Sequence, residues 1–434
     1  MSIDNFRLIL LAVSFSLLIP PGAQGQNGVN SPYSRFGLGD MESTGFAQSH
    51  AMGGFGIGLI NPKAINLSNP ASFGYIRKQS FLFEIGLQTS RNKLILTDTS
   101  QTTFGTSISY FALAFPITKW WGSSFGIKPF SKINYRVIDQ DNIPGIGKVN
   151  YTFIGNGGLN QVYWGNAFRY KNLSMGINAS YIFGPTETSR RAIFENANTF
   201  HYYTIETQKL GALHFNYGLL YRHTLDSLSG KALKNKLTFS GGLTFDLSTK
   251  MSTKRTKIGV SFIEYADDPF LLLPLDTTIN IDEEGETILP GSFGIGISTK
   301  IGERWLFGVD YSTRFWSNFS SFGVKDSLAN SSRFSIGMQF NPDFRSNKYF
   351  NTIYYRLGAY YENTHLQVKG TRLSKYGTSF GIGLPLRKLG SVISISYETG
   401  KRGTIENNLI QENYWNVLFG LTINDIWFLK RKYD

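Results

Sequence analysis

The sequence predicts an all-β protein: a transmembrane antiparallel β-barrel of about 14 strands with an N-terminal hatch, or plug, inside its lumen. Three observations carry that reading. From Ser80 onward, stretches of about ten residues alternate with the two-residue period of a strand. Several stretches are long: Ile353 to Val368 and Leu210 to Leu225 each run about 16 residues, against about 5–6 in a typical globular strand. No amphipathic helix is present to cover the apolar face, which leaves lipid as its cover.

Individual strands show the device. Phe81, Phe83, Ile85 and Leu87 oppose Glu84, Gly86 and Gln88, and Leu237, Phe239, Leu243, Phe245 and Leu247 oppose Thr238, Ser240, Gly242, Thr244 and Asp246. Phe334, Ile336, Met338 and Phe340 oppose Ser335, Gly337 and Gln339. Trp415, Val417, Phe419, Leu421 and Ile423 oppose Asn416, Gly420, Thr422 and Asn424. The second face is small and polar, which suits a crowded or watery interior. A soluble sandwich also alternates, so strand length and the uncovered apolar face decide. Aromatics at strand ends (Trp120-Trp121, Trp305, Trp316, Trp427-Phe428) fit girdles at the two membrane interfaces.

Composition narrows the classes. Of 434 residues, 41% are hydrophobic, 15% aromatic and only 17% charged, with 46 glycines, which excludes a disordered chain and a coiled coil. There are no cysteines, so disulfides, thiolate metal sites and a Cys-linked lipid anchor are out. The net charge of +13 is scattered, its longest basic run being Lys430-Arg431-Lys432. Nucleic acid needs clustered charge, so no nucleic-acid partner is expected, and an anionic membrane surface is the better complement.

In chain order, residues 1–25 read as a signal peptide: an apolar run from Leu8 to Ile19, then Pro20-Pro21 and Ala23-Gln24-Gly25. That run is too short for the roughly 30 Å hydrocarbon layer. Residues 26–79 are glycine-rich and poorly periodic, and Met52, Phe55, Ile57, Leu59 and Ile65 argue that they fold as a hatch inside a lumen too wide for wall side chains to fill. The barrel spans 80–425 and a basic periplasmic tail 426–434.

Short turns are expected at Thr118-Lys119, Lys171-Asn172, Asp226 to Asn235, Gly302-Glu303, Asn341 to Asn351 and Arg387 to Gly390. Longer outer connections are expected at 91–102, 140–149, 184–199, 249–288, 317–330 and 402–409, with a tight exception at Gly370. Lys257 to Tyr265 alternates like a strand but is assigned to an outer loop, because counting it makes the total odd. Lys93 and the 184–199 loop are candidate outer contacts.

The segment Ala51-Met52-Gly53-Gly54, followed by Asn69-Pro70-Ala71, resembles the FadL type of outer-membrane transport barrel, including its PorV-like secretion-associated branch. The ending Asn413-Tyr414-Trp415 through Asp425-Ile426-Trp427-Phe428 to Lys430-Arg431-Lys432-Tyr433 is similar to the final strand and tail of such proteins. The resemblance implies a bacterial outer-membrane barrel with an internal hatch that passes long-chain fatty acids or other hydrophobic small molecules. Its PorV-like branch implies the alternative: a non-transporting partner barrel in an outer-membrane protein secretion or assembly complex. Implied partners are outer-membrane lipids and lipopolysaccharide, a hydrophobic small-molecule ligand, and secretion or assembly subunits. Lys132, Arg136, His214, Arg222, Asp310, Arg356 and Glu362 are expected to face the lumen. Such charges fit a polar pore, an ion network clamping the hatch, or a carboxylate-binding site equally well.

No enzyme and no cofactor are expected. His50, His201, His214, His223 and His365 lack metal-ligand spacing, and no GxSxG elbow, P-loop or helix-opening GxGxxG occurs. Gly54-Phe55-Gly56-Ile57-Gly58 reads as tight hatch backbone, and the acidic group Asp282, Glu283, Glu284, Glu286 as a solvated loop rather than a Ca²⁺ site.

Overall fold

The computed structural model describes residues 30–195, 199–225, 236–265, 268–386 and 390–426; of 264, 265 and 268–274 it gives the backbone only. The expected signal segment, the whole connection from Asp226 to Asn235, most of the Arg387 to Gly390 turn, Trp427-Phe428 and the basic tail lie outside the described residues.

The hatch carries the short strand β1 (Asp40–Met41). The chain then runs through β2 (Ser80–Leu96), β3 (Thr99–Pro116), β4 (Trp121–Ile143), β5 (Gly147–Tyr170), β6 (Leu173–Phe194), β7 (His201–Leu225) and β8 (Leu237–Asp246). An excursion follows, β9 (Thr249–Tyr265) and β10 (Asp268–Leu289), before β11 (Ser292–Ile301) and β12 (Trp305–Arg314). The two-residue strands β13 (Ser320–Ser321) and β14 (Val324–Lys325) precede β15 (Ser331–Phe340), β16 (Tyr354–Val368), β17 (Thr371–Leu386), β18 (Ser391–Arg402) and β19 (Gln411–Ile426).

Fourteen of these close an antiparallel barrel: β2 to β8, β11, β12 and β15 to β19. The seam is β19 against β2, with Gln411 opposite Ile95 and Ile426 opposite Ser80. As expected from parity, the 257–265 segment stays out of the wall. It belongs to the β9–β10 hairpin, which pairs with the upper half of β7 (Ser252 opposite Gly211) while β8 pairs with the lower half (Phe245 opposite Tyr217) and then with β11.

Alternation survives as inside and outside. Ile108, Trp164, Leu213, Ile297, Ile336, Leu357 and Phe380 project outward and stay exposed, an apolar belt that lipid covers. The expected outer loops at 91–102, 140–149 and most of 184–199 are instead strand. β2 and β3 meet across Thr97-Asp98, and β7 runs for 25 residues. Beyond the membrane the pairing simply continues in water, because backbone groups still need partners. At Lys369-Gly370 both residues have positive φ (49° and 77°), the paired left-handed geometry of a two-residue hairpin turn. Trp316 departs from the girdle expectation: it is 1% exposed, stacked 4.4 Å from His365 beneath an outer loop.

Candidate functional site

The hatch docks through its two motifs, each seated where the wall has no Cβ. Gly53 and Gly54 take positive φ (69° and 84°), turning the chain against β15 to β17. There Gly53 donates its N–H to Ser379 Oγ (2.7 Å) and accepts from Arg333 Nη2 (3.1 Å). A Cβ on Gly358 of β16 would stand 2.1 Å from the Met52 carbonyl carbon, so glycine is required by close approach. Ala51 and Met52 are fully buried. At the second motif Asn69 caps a 3₁₀ turn (Pro70–Tyr75) by accepting the Ala71 N–H (3.0 Å), with Pro70 at its first position. Asn69 Nδ2 donates to Ile57 O (2.9 Å) within the hatch and Leu219 O (3.1 Å) in β7, and Ser174 Oγ of β6 donates to Ala71 O (2.7 Å).

Charged wall residues then clamp the hatch from several sides. Asp310 of β12 accepts the N–H groups of Gly56 and Ile57, both at 2.7 Å. Arg402 of β18 forks onto Asp40 (2.6 and 3.0 Å) and also holds Glu412 of β19 (Nε to Oε2, 2.8 Å) and Ser31. Burial opposes ionisation of Asp40, but the Arg402 guanidinium prevails and holds its carboxyl below the ordinary range. His50 bridges Glu398 (2.7 Å) and Ser396 (2.9 Å), and Tyr360 donates to the same Glu398 (2.6 Å). Glu84 accepts Ile65 N–H at 2.7 Å, Lys132 pairs with Glu42 at 2.8 Å, and Lys128 donates to Ser43 O.

Between β3 and β4 the wall opens. The two strands pair only from Pro116–Gly122 to Phe111–Ile127 and then separate. Pro129 of β4 has no N–H to offer β3, and both strands carry register shifts at this level, after Gly86/Tyr110 in the β2–β3 pairing and between Pro129 and Ser131 in the β4–β5 pairing. The hatch fills the vacated edge from inside. Asp40 and Met41 pair with Lys132 and Ser131, Glu42 N–H donates to Phe130 O (3.0 Å), and Ser31 N–H to Asn134 O (2.8 Å). Above the hatch lies a cavity of about 700 Å³, lined by polar residues such as Ser107, Asn134, Asp310, Arg333 and Glu398 together with apolar ones such as Ile57 and Phe293.

The expected lumen residues divide. Asp310, Arg356 and Lys132 touch the hatch or its supports, Arg356 reaching Gln339 (2.9 Å) and Ser394 (3.1 Å). Glu362 pairs with Arg333 (3.0 Å), and His214 is buried against Thr249 (2.9 Å). Arg222 stacks on Tyr75 of the hatch at 4.9 Å. Arg136 is exposed on β4, and its backbone N–H donates to Asn30 of the hatch (3.2 Å). Arg333, Glu398, Arg402 and Glu412 were not foreseen, although Ser394, Ser396, Glu398, Gly400 and Arg402 share one strand face. The acidic group on β10 is cross-paired, Asp282 to Lys254 (3.5 Å) and Glu286 to Lys250 (3.1 Å). No cluster that could hold a metal occurs among the described residues.

A family model described as BamG matches residues 7–434. No curated protein matches in sequence. Solved structures match in fold. A FadL homologue of Pseudomonas aeruginosa is 12% identical, with TM-score 0.59, covering 90% of this chain and 100% of that one. The toluene transporter TodX of Pseudomonas putida is 15% identical, with TM-score 0.56 and coverage of 90% and 100%. The Ralstonia pickettii toluene transporter TbuX is 16% identical, with TM-score 0.52 and coverage of 88% and 98%. The architecture is the FadL type of bacterial outer-membrane barrel.

Proposed function

The chain belongs to the BamG family, and on that footing we propose that it is a non-transporting barrel subunit of an outer-membrane protein secretion or assembly machine. The observation that carries this reading is the clamped lumen. A carrier of greasy molecules needs an apolar interior with a few placed polar groups. Here serine, asparagine, arginine and carboxylate side chains line the cavity beside apolar ones such as Ile57, Phe293 and Leu418, and the hatch is tied to β12, β15, β17, β18 and β19 by hydrogen bonds and ion pairs. Buried pairs of that kind are costly to break, which suits a fixed plug. Purification of the full chain from native membranes in gentle detergent tests the reading: co-purifying membrane or secretion subunits at stoichiometric yield are expected, and a barrel that runs alone at its own mass counts against it.

A second reading rests on the opening between β3 and β4: passage of hydrophobic molecules, long-chain fatty acids among them, sideways into lipid. Organic extraction of the purified protein decides between the two. Stoichiometric fatty acid or similar ligand, lost when Met41→Cys and Ser131→Cys are joined as a disulfide, favours passage; an interior free of such molecules favours the subunit role.

A further inference from the structure

Charge is distributed unevenly between the two ends of the barrel. The short-turn end, periplasmic in bacterial outer-membrane barrels, comprises residues 61–79, 117–120, 169–173, 222–225, 236, 300–305, 341–352 and 424–426. These carry twelve Lys or Arg and three Asp or Glu, a surplus of nine against +13 for the whole chain. At the opposite end the signs are mixed and cross-paired, as on the β9–β10 hairpin. The surplus is not confined to the perimeter. Lys63, Arg77 and Lys78 are exposed on the underside of the hatch, inside the ring of turns. Just within the mouth, Arg169 and Arg222 flank the Tyr75 ring at 5.0 and 4.9 Å, and no ion pair joins either guanidinium to a carboxylate among the described residues.

Phospholipid headgroups surround a barrel and complement its collar, but they do not reach across its mouth. A soluble surface laid end-on over the mouth complements both collar and centre. We propose that the short-turn mouth is the docking face for an acidic, water-soluble domain of a periplasmic partner protein, seated across the underside of the hatch. The proposal rests on the subunit reading above and names the partner's chemistry and place of contact. Complementary charge steers encounter and rejects basic partners more than it adds affinity, so the contact is salt-sensitive.

The test places a photoreactive residue at Gln79, exposed on the hatch underside, or at Lys369 on the opposite end as control, in the full chain in native membranes. Expected at position 79 is an adduct with a soluble protein whose cross-linked peptide lies in an acidic surface. Its yield should fall about tenfold with Lys63→Glu, Arg77→Glu and Lys78→Glu combined, and again in high salt. If the triple variant loses heat-modifiable migration, the Lys63→Gln, Arg77→Gln, Lys78→Gln set and a salt titration of the unaltered chain replace it. An adduct and a native complex that both survive reversal overturn this docking face while leaving the subunit role intact. Phospholipid adducts alone overturn it in favour of a lipid collar. An unaltered chain that forms neither adduct nor complex overturns both.

Discussion

Asp310 shows what one side chain settles in this barrel. It projects from β12 in the phase of the inward face, and its carboxylate takes two hatch N–H groups that no other partner satisfies. Asp310→Ala leaves both donors buried and unpaired, at about 1–3 kcal/mol each. Limited proteolysis should therefore cut within residues 51–60 of the variant under conditions where the unaltered hatch is resistant. Gly358 imposes the opposite constraint, absence of a side chain. Gly358→Val puts carbon where Met52 backbone lies, and overpacking of this kind costs about 1–3 kcal/mol. The barrel should still form, with hatch protection lost; unchanged protection would refute this seating. Asp40 adds a pH dependence. Its folded carboxyl titrates below the ordinary value of about 3.9. The stabilisation is therefore present in full above that value and disappears as pH falls beneath it. Hatch protection should hold from pH 8 to pH 5 and drop only under stronger acid, and the Asp40→Asn variant should lack that acid transition.

At the scale of elements, β4 and the hatch segment 30–42 form one unit. Pro129 and the adjoining bulges detach β4 from β3, and the freed edge would be a liability were it not paired with Asp40, Met41, Glu42 and Ser31. Arg402 then pins the same segment from the far wall. Arg402→Met removes that pin and leaves Asp40 and Glu412 facing each other without a cation, a loss of about 3–5 kcal/mol by analogy with other broken buried pairs. Planar-bilayer recordings should show a closed, low-conductance protein for the unaltered chain and frequent large openings for this variant. The chain has no native cysteine, and Met41 and Ser131 face each other directly in the β1–β4 ladder, within disulfide reach. The Met41→Cys, Ser131→Cys pair should cross-link cleanly and suppress the openings of Arg402→Met; an unsuppressed current would place the leak elsewhere than the β3–β4 opening.

For the whole molecule, the outward apolar belt sets the surroundings in which the barrel is stable. Because alternating residues expose Ile, Phe, Trp and Leu all round the wall, the folded barrel should stay dispersed only with detergent or lipid and migrate faster unheated than heated on a denaturing gel. A protein that stays monomeric in plain buffer would contradict the lipid assignment.

The two-residue period needs nothing but the order of residues, so the fourteen strands, the exclusion of 257–265 from the wall and the inward phase of Asp310, Arg356 and Glu362 were all readable from the chain. Phase also pointed Glu398 and Arg402 inward, yet nothing local could pair Arg402 with Asp40, which lies 362 residues earlier. Nor could it show that Trp316 stacks on His365 under a loop instead of meeting lipid. Periodicity assigns a side chain to a face, because neighbouring residues fix it through backbone geometry. Which groups then meet across the lumen depends on the path of a hatch that has no period, and that path is set by where the closed wall leaves glycine-sized room and an unpaired edge.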